Sequence, residues 1–228
     1  MEKIAFIGGY DKTDMLFYVA KLLRTMGHKV LVVDTTVSQK ARFIIPNIAP
    51  TMNYITSCDS VDFAIGFDSL DKLKAYMLSE EAEWDYEYML IDIDSRAAYR
   101  NFELLPKDKH YVVTSFDIYS LKKAVNVLRG IEVKTSVTKV YFTKSLLEDE
   151  DRYFRFLTKD CSIAFKKEPI LFPTDVNDIE AIHKNQRDGI LRYKTLSSKY
   201  LYGITYITEE ISEESSGNIR KALKQIDR

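Results

Sequence analysis

Residues 6–14 read Phe-Ile-Gly-Gly-Tyr-Asp-Lys-Thr-Asp, between a short apolar run that ends at Ile7 and a helical pattern that begins at Thr13. A strand, a Gly-Gly turn and a Lys-Thr pair at the start of a helix form the layout of a phosphate-binding loop. In such a loop, backbone N–H groups and the helix N-terminus hold the phosphates. The lysine reaches the β- and γ-phosphates, and the threonine hydroxyl ligates Mg²⁺. On this sequence the two roles fall to Lys12 and Thr13.

Apolar runs and helical patterns alternate along the rest of the chain. Short, almost uniformly apolar strands between amphipathic helices are typical of a parallel sheet covered on both faces. We therefore predict an α/β fold with a mostly parallel β-sheet flanked by helices on both faces. The predicted strands are 4–7, 30–33, 88–93, 111–114, 137–142, 163–165 and 170–172, with 63–67 as either a strand or a loop. The predicted helices run from 13 to near Gly27 and over 70–78, 118–128, 146–157, 176–186, 193–208 and 218–226.

Polar and small residues stand where several predicted strands end. Gly8 and Gly9 follow the first strand, Asp34 ends the second, and Asp92 lies in the strand over 88–93. Parallel α/β sheets bind their ligands at the carboxyl ends of the strands. We therefore expect these residues to gather at one edge of the sheet.

The composition bounds the class of protein. With 33 basic and 34 acidic residues the net charge is -1, and 46% of the 228 residues are hydrophobic, which excludes a disordered chain and gives no support for a dedicated nucleic-acid binder. The sequence shows no signal-peptide pattern and no 18-residue apolar stretch. We predict a single domain over 1–228, with 193–228 as closing C-terminal helices. The expected location is cytoplasmic, including the inner face of the membrane.

Together these motifs resemble the MinD/ParA family of P-loop ATPases, which carry a deviant Walker A motif of the form KGGVGKT. The family has an aspartate at the end of its second strand, matched by Asp34. Its Walker B strand after an acidic and aromatic lead-in is matched by 85–92, ending at Asp92, and its next strand and helix by 112–129. The likeness is good over 1–140 and weaker to about 200. It implies a P-loop NTPase-like fold and ATP or ADP with Mg²⁺ as ligand, held by Gly8, Gly9, Tyr10, Asp11, Lys12, Thr13, Asp34 and Asp92, with Thr13 and Asp92 toward the metal.

The chain also departs from the family pattern. Asp11 stands where the glycine before the Walker lysine is expected, and Ile7 replaces the signature lysine that the family supplies across its dimer. Thr36 replaces the second acid after Asp34, which resembles the family's water-activating aspartate. Loss of a transition-state cation lowers related phosphoryl-transfer rates by about 10³–10⁵. The resemblance therefore implies degenerate motifs and weak or absent hydrolysis.

Asp11 leaves three interpretations of the turn open. A carboxylate about 4 Å from a negative charge of the phosphate repels it by about 1 kcal/mol in water and by about 4 kcal/mol at an effective dielectric constant of 20. Alternatively, Asp11 or Asp14 caps the helix and occupies the anion site itself. The turn then belongs to a degenerate ATPase-like domain, to a working but unusual ATPase, or to another α/β protein in which the Gly-Gly turn is structural. A dinucleotide site with Asp34 on the ribose is disfavoured because the G-x-G-x-x-G spacing is absent.

Two late segments carry partner hypotheses. A basic patch is formed by Lys184, Arg187, Arg192, Lys194 and Lys199, and in ParA-like relatives basic late helices touch DNA. The C-terminal helix resembles the basic amphipathic helix with which MinD-like relatives lie on a membrane, although its apolar face is narrow. A solvated helix face and packing against the domain are the structural alternatives for the two segments.

The leading functional hypothesis is a pseudo-ATPase that acts as a scaffold or localisation factor. It would form a homodimer and bind protein partners, as in the branches of the family that position pilus or secretion machinery. The alternatives are an active ATP-dependent dimerising switch and a DNA- or membrane-binding adaptor.

Overall fold

The computed structural model describes residues 1–45, 52–80, 84–166, 168–173 and 175–226. In these residues the strands form one mixed sheet in the order β3-β4-β2-β5-β1-β6-β7-β8, and β9 also pairs with β7. Every pairing is parallel except the β3–β4 hairpin. The strands are β1 Glu2–Ile7, β2 Val30–Asp34, β3 Tyr54–Cys58, β4 Val61–Ile65, β5 Tyr88–Ile93, β6 Lys109–Thr114, β7 Thr135–Phe142, β8 Ile163–Phe165 and β9 Ile170–Phe172.

Helices cover both faces of the sheet. One hydrophobic core lies between the sheet and α1, α8 and α9, and a second lies between the opposite face and α3, α4, α5 and α6. The helices are α1 Thr13–Thr25, α2 Ala41–Ile44, α3 Leu70–Ser79, α4 Arg96–Asn101, α5 Ile118–Leu128, α6 Glu148–Leu157, α7 Val176–Asp188, α8 Ser198–Ser212 and α9 Ser216–Ile226. Successive residues of β1 alternate between the two cores, so Phe6 belongs to the first and Ile7 to the second. The predicted fold class is confirmed.

The parallel register also confirms the predicted gathering of strand ends. Ile7 pairs with Ile93 on one side and with Val112 on the other, while Asp34 pairs with Asp92. The turn after β1 and the ends of β2, β5 and β6 therefore lie side by side at the carboxyl edge of the sheet.

The observed elements differ from the prediction in several places, and the short helices α2 and α4 were not predicted at all. Residues 63–65 of the ambiguous segment belong to β4, and the last two residues of the segment lie outside the strand. This strand forms a hairpin with β3 through Asp59 and Ser60, both at positive φ. The strand β3 was not predicted, because its alternating and partly polar residues carry no continuous apolar run. The predicted helix 193–208 is wrong at its start: a 3-10 turn over Tyr193–Thr195 comes first, and α8 begins where Ser197 caps it.

Gly27 confirms the predicted end of α1. It follows the helix with a φ of 101°, which is the left-handed conformation that glycine adopts after a helix C-terminus. Among the described residues, none of the helices has both the length and the hydropathy needed to cross a bilayer.

Candidate functional site

A cleft of about 370 Å³ opens at the carboxyl edge of the sheet. Seven of the eight predicted site residues line it, and the exception is Asp34. The prediction missed the residues that the loop between β2 and α2 contributes. The full lining is Gly8, Gly9, Tyr10, Asp11, Lys12, Thr13, Thr36, Ser38, Lys40, Phe43, Asp92 and Asp94.

Lys12 is held by groups of its own chain. Its side chain is 2% exposed, its Nζ lies 2.6 Å from Asp92 Oδ1, and the same Nζ donates to the Gly8 carbonyl at 2.8 Å. No other donor among the described residues reaches Asp92 Oδ1. Lys12 and Asp92 are thus a buried ion pair, in which each charge depends on the other for compensation.

Burial raises the pKa of Asp92 to about 7, against the attraction of Lys12 and with added repulsion from Asp34. A carboxyl whose folded pKa lies above its unfolded value binds its proton more tightly when folded, so its stabilising contribution is lost as pH rises. We expect this contribution to fall as pH rises from about 4 to about 7. Urea unfolding at several pH values, compared with the Lys12→Met/Asp92→Asn double variant, measures it. A stability difference between the two proteins that stays flat with pH would contradict the assignment.

Asp11 occupies the start of α1. Its Oδ1 accepts a hydrogen bond from the Thr13 backbone N–H at 3.1 Å, and its Oδ2 lies 2.5 Å from Lys40 Nζ. Lys40 also lies 2.9 Å from Asp14 Oδ2. The prediction that Asp11 or Asp14 caps α1 is wrong, because Lys12 is the N-cap and has no side-chain cap hydrogen bond. Asp11 binds the first helical amide from one residue earlier, whereas Asp14 pairs with Lys40 and accepts from Gln186 Nε2 at 2.6 Å.

Asp34 lies beside the cleft, and its carboxylate accepts hydrogen bonds from the segment that follows β2. Its Oδ1 accepts from the Thr36 amide at 3.0 Å and from the Thr36 hydroxyl at 2.6 Å, and its Oδ2 accepts from the Ala41 amide at 3.1 Å. These three bonds fix the turn between β2 and α2. Thr36, which stands where the family carries an acid, is therefore a partner of Asp34.

Known proteins resemble this chain in structure and not detectably in sequence. No protein-family model and no curated protein matches the sequence. The ATP complex of a Cyanothece McdA variant matches with a TM-score of 0.57 and 13% identity, over 95% of this chain and 98% of that one. The MinD cell division protein of Aquifex aeolicus gives 0.56 and 15%, over 94% and 98%. A ParA family ATPase from Chlorobium tepidum gives 0.52 and 13%, over 97% of both. The fold is that of the MinD/ParA ATPases. The predicted resemblance to the MinD/ParA family is confirmed at the level of the fold.

Within this MinD/ParA-type fold, packing accounts for the two retained glycines. Gly8 has a φ of 147°, and a Cβ on it would lie 2.0 Å from the Val113 carbonyl oxygen of β6. A Cβ on Gly9 would lie 2.7 Å from Lys123 Cβ of α5. Tyr10 turns its ring away to stack on Phe142, with the ring centroids 4.6 Å apart. The loop keeps its shape through contacts with its own chain.

Ile7, at the position of the family's signature lysine, is fully buried in the core between the sheet and α5. It offers no charge to a ligand. Within the described part of the chain, the cleft is lined by two cations, Lys12 and Lys40.

The oxygen atoms at the cleft suit Mg²⁺ in type. The Thr13 hydroxyl makes no hydrogen bond within the described residues, and the buried Asp94 Oδ1 accepts none there either. Within the described residues, there is no group of three or more His, Cys, Asp or Glu side chains that could hold a metal ion. Mg²⁺ commonly takes one or two carboxylates and completes its coordination with phosphates and water. Thr13 and Asp92 would hold it only together with a polyphosphate, and Asp11 already occupies the amide that such a ligand would use.

The two late segments are packed differently. The five residues of the basic patch are spread over α7, the 3-10 turn and α8, and Arg192 is paired with Asp188. In α9 the side chains of Ile219 and Ala222 are buried in the first core, in contact with α1 and α8. The apolar face of the C-terminal helix therefore packs against the domain.

Proposed function

We propose that this chain is a cytoplasmic scaffold or localisation protein of the MinD/ParA type, with weak or absent ATP hydrolysis. The observation that carries the proposal is the internal satisfaction of the phosphate loop. Lys12 is bound to Asp92 and to the Gly8 carbonyl, and the Thr13 amide is bound to Asp11. A polyphosphate has to displace contacts that the folded chain already makes.

The catalytic groups are depleted as well. Asp34 is committed to its own loop by three hydrogen bonds, and the buried Ile7 replaces a lysine that could stabilise the transferred phosphoryl group. Rapid hydrolysis requires such groups to be placed at the reacting atoms before the reaction begins.

An exposed apolar rim supports action through protein contacts. The rim consists of Val37, Phe43 and Met52, which are 84%, 81% and 84% exposed. Phe43 lines the cleft, the Val37 amide donates to Asp94, and Arg42, the neighbour of Phe43, donates to the Met52 carbonyl. Exposed apolar groups beside a cleft are typical of an interaction surface. A second copy of the chain and a protein partner are the proposed occupants.

The second candidate is an ATP-dependent dimerising switch. The Thr13 hydroxyl and Asp94 Oδ1, which accepts no hydrogen bond within the described residues, favour it, because a Mg²⁺–nucleotide complex uses oxygen ligands of this kind. In that case the contacts of Lys12 and Asp11 would exchange for phosphate when the nucleotide enters.

Phosphate release from Mg-ATP separates the two candidates. We expect the wild-type turnover to be near background and unchanged by Thr13→Ala, because the proposed protein does not use the hydroxyl for catalysis. Turnover that Thr13→Ala abolishes would overturn the scaffold proposal. Light scattering with and without Mg-ATP is the parallel measurement: the scaffold keeps the same mass, whereas the switch shifts from monomer to dimer.

A further inference from the structure

We propose that Lys40 is a phosphate-binding residue of the cleft, and that the Asp11 carboxylate is the anion that Lys40 holds in this structure. The inference rests on the proposed function in one respect, since it takes the cleft to be the phosphate site. Lys40 belongs to neither the phosphate-loop motif nor the strand-end aspartates.

Asp11 contacts two groups that attract anions. Its two carboxylate oxygens bind a helix N-terminal amide and a lysine ammonium, at 3.1 Å from Thr13 N and 2.5 Å from Lys40 Nζ. These are the groups with which proteins bind a phosphate at the start of a helix. The Asp11 carboxylate thus makes the contacts of a bound anion, and it comes from the loop itself.

An ion pair with Asp14 keeps Lys40 in place when the Asp11 carboxylate moves away. Asp14 Oδ2 lies 2.9 Å from Lys40 Nζ, and Asp14 is fixed in turn by Gln186 at 2.6 Å. Burial works against the charge of Lys40, but Asp14 and Asp11 outweigh it and hold the pKa of Lys40 above its usual value. The ammonium is therefore charged, and its ion pair with Asp14 anchors it at the mouth of the cleft by a contact that does not involve Asp11.

The exchange of the Asp11 carboxylate for a phosphate requires little movement. The Asp11 side chain is about half exposed, so its carboxylate can turn into water without losing solvation. Lys12 is less suited to meet the ligand first, because it is 2% exposed and bound to Asp92. The incoming phosphate would replace Asp11 on both Lys40 and the Thr13 amide. Lys40 then supplies, within the same chain, a positive charge that Ile7 does not.

Calorimetric titration tests the assignment with two probes, Mg-ATP and inorganic pyrophosphate. We expect Asp11→Ala to bind both about tenfold more tightly than the wild type, which is the scale of one charge-assisted hydrogen bond. The double variant Asp11→Ala/Lys40→Ala should lose that gain. Asp14→Ala is the matched control, because it removes the same charge from the same lysine without freeing the Thr13 amide.

Three results would overturn the assignment. Asp11→Ala and the double variant could bind equally, Asp14→Ala could tighten binding as much as Asp11→Ala, or none of the variants could bind pyrophosphate. Circular dichroism verifies folding, and Asp11→Gly, which also removes the carboxylate from both the Thr13 amide and Lys40, replaces the alanine variant if that one is unfolded. The scaffold proposal fails on different evidence, namely turnover that Thr13→Ala abolishes.

Discussion

We expect Gly8→Ala to destabilise the folded chain by about 2–5 kcal/mol, a large part of the total stability of a typical domain. Two costs combine. The φ of Gly8 is 147°, where a side chain adds roughly 1–2 kcal/mol of backbone strain. The new Cβ would also lie 2.0 Å from the Val113 carbonyl oxygen, and overpacking of this kind adds about 1–3 kcal/mol. Neither side can yield, because both belong to the backbone of adjacent central strands or their turn.

Gly27→Ala is the control that separates the two costs. Gly27 also has a positive φ, 101°, but nothing lies within 4 Å of a Cβ placed on it. We expect Gly27→Ala to lower the free energy of unfolding only by the cost of backbone strain, about 1–2 kcal/mol. Urea unfolding of the two variants measures the difference. Equal losses would show that the contact with β6 relaxes and that backbone strain alone makes glycine necessary at position 8.

The two glycines of the loop and Asp11 face different parts of the molecule. Gly8 faces the backbone of β6 and Gly9 faces α5, so the fold itself requires both glycines. Asp11 is exposed, does not have a positive φ and points to the ligand side of the loop. The chain therefore has glycine where the protein packs against the loop and has Asp11 on the side that faces the cleft. A glycine pair in a phosphate-loop motif therefore indicates the shape of the turn. The residue before the lysine indicates whether a phosphate can approach the loop.

The sheet could be predicted because its central strands are buried on both faces. Runs such as 88–93 consist almost entirely of apolar residues, and a short run of that kind between turn residues is typical of a strand inside a parallel sheet. The strand β3 lies at the edge of the sheet and is partly exposed, so its sequence contains Thr56 and Ser57 and gives a weak signal. The short helices α2 and α4 were missed for a related reason, since one or two turns give too little periodicity to recognise.

The site was predicted as far as the motif extends along the chain. The loop residues and Asp92 were found because motif spacing places them at strand ends. Lys40 and Phe43 reach the same cleft from outside the motif, and no local pattern marks them. The role of Asp34 was also beyond sequence, because its three hydrogen bonds depend on how the following turn folds back. Interactions between separate segments are what the sequence could not reveal.

The other large effect is expected from Lys12→Met, which removes one member of the buried ion pair. The variant leaves the Asp92 carboxylate 3% exposed and without its compensating charge. Breaking a buried pair from one side typically costs about 3–5 kcal/mol, whereas removing both charges is close to neutral. We therefore expect a loss of that size at about pH 7.5 and recovery of most of it in Lys12→Met/Asp92→Asn. The loss is expected to be smaller at about pH 5, where Asp92 can take up a proton.

Lys72→Met is the matched control, because Lys72 pairs with Asp68 at 2.7 Å on the exposed surface of α3, and such pairs contribute at most about 1 kcal/mol. Urea unfolding of the wild type and the three variants measures the differences. A Lys12→Met protein as stable as the Lys72→Met protein would show that water or a rearranged donor compensates Asp92. The result decides how a Lys12 variant without ATPase activity is interpreted. If Lys12 supports the fold, lost turnover in that variant does not identify a phosphate-binding lysine, and Thr13→Ala is the variant that tests catalysis.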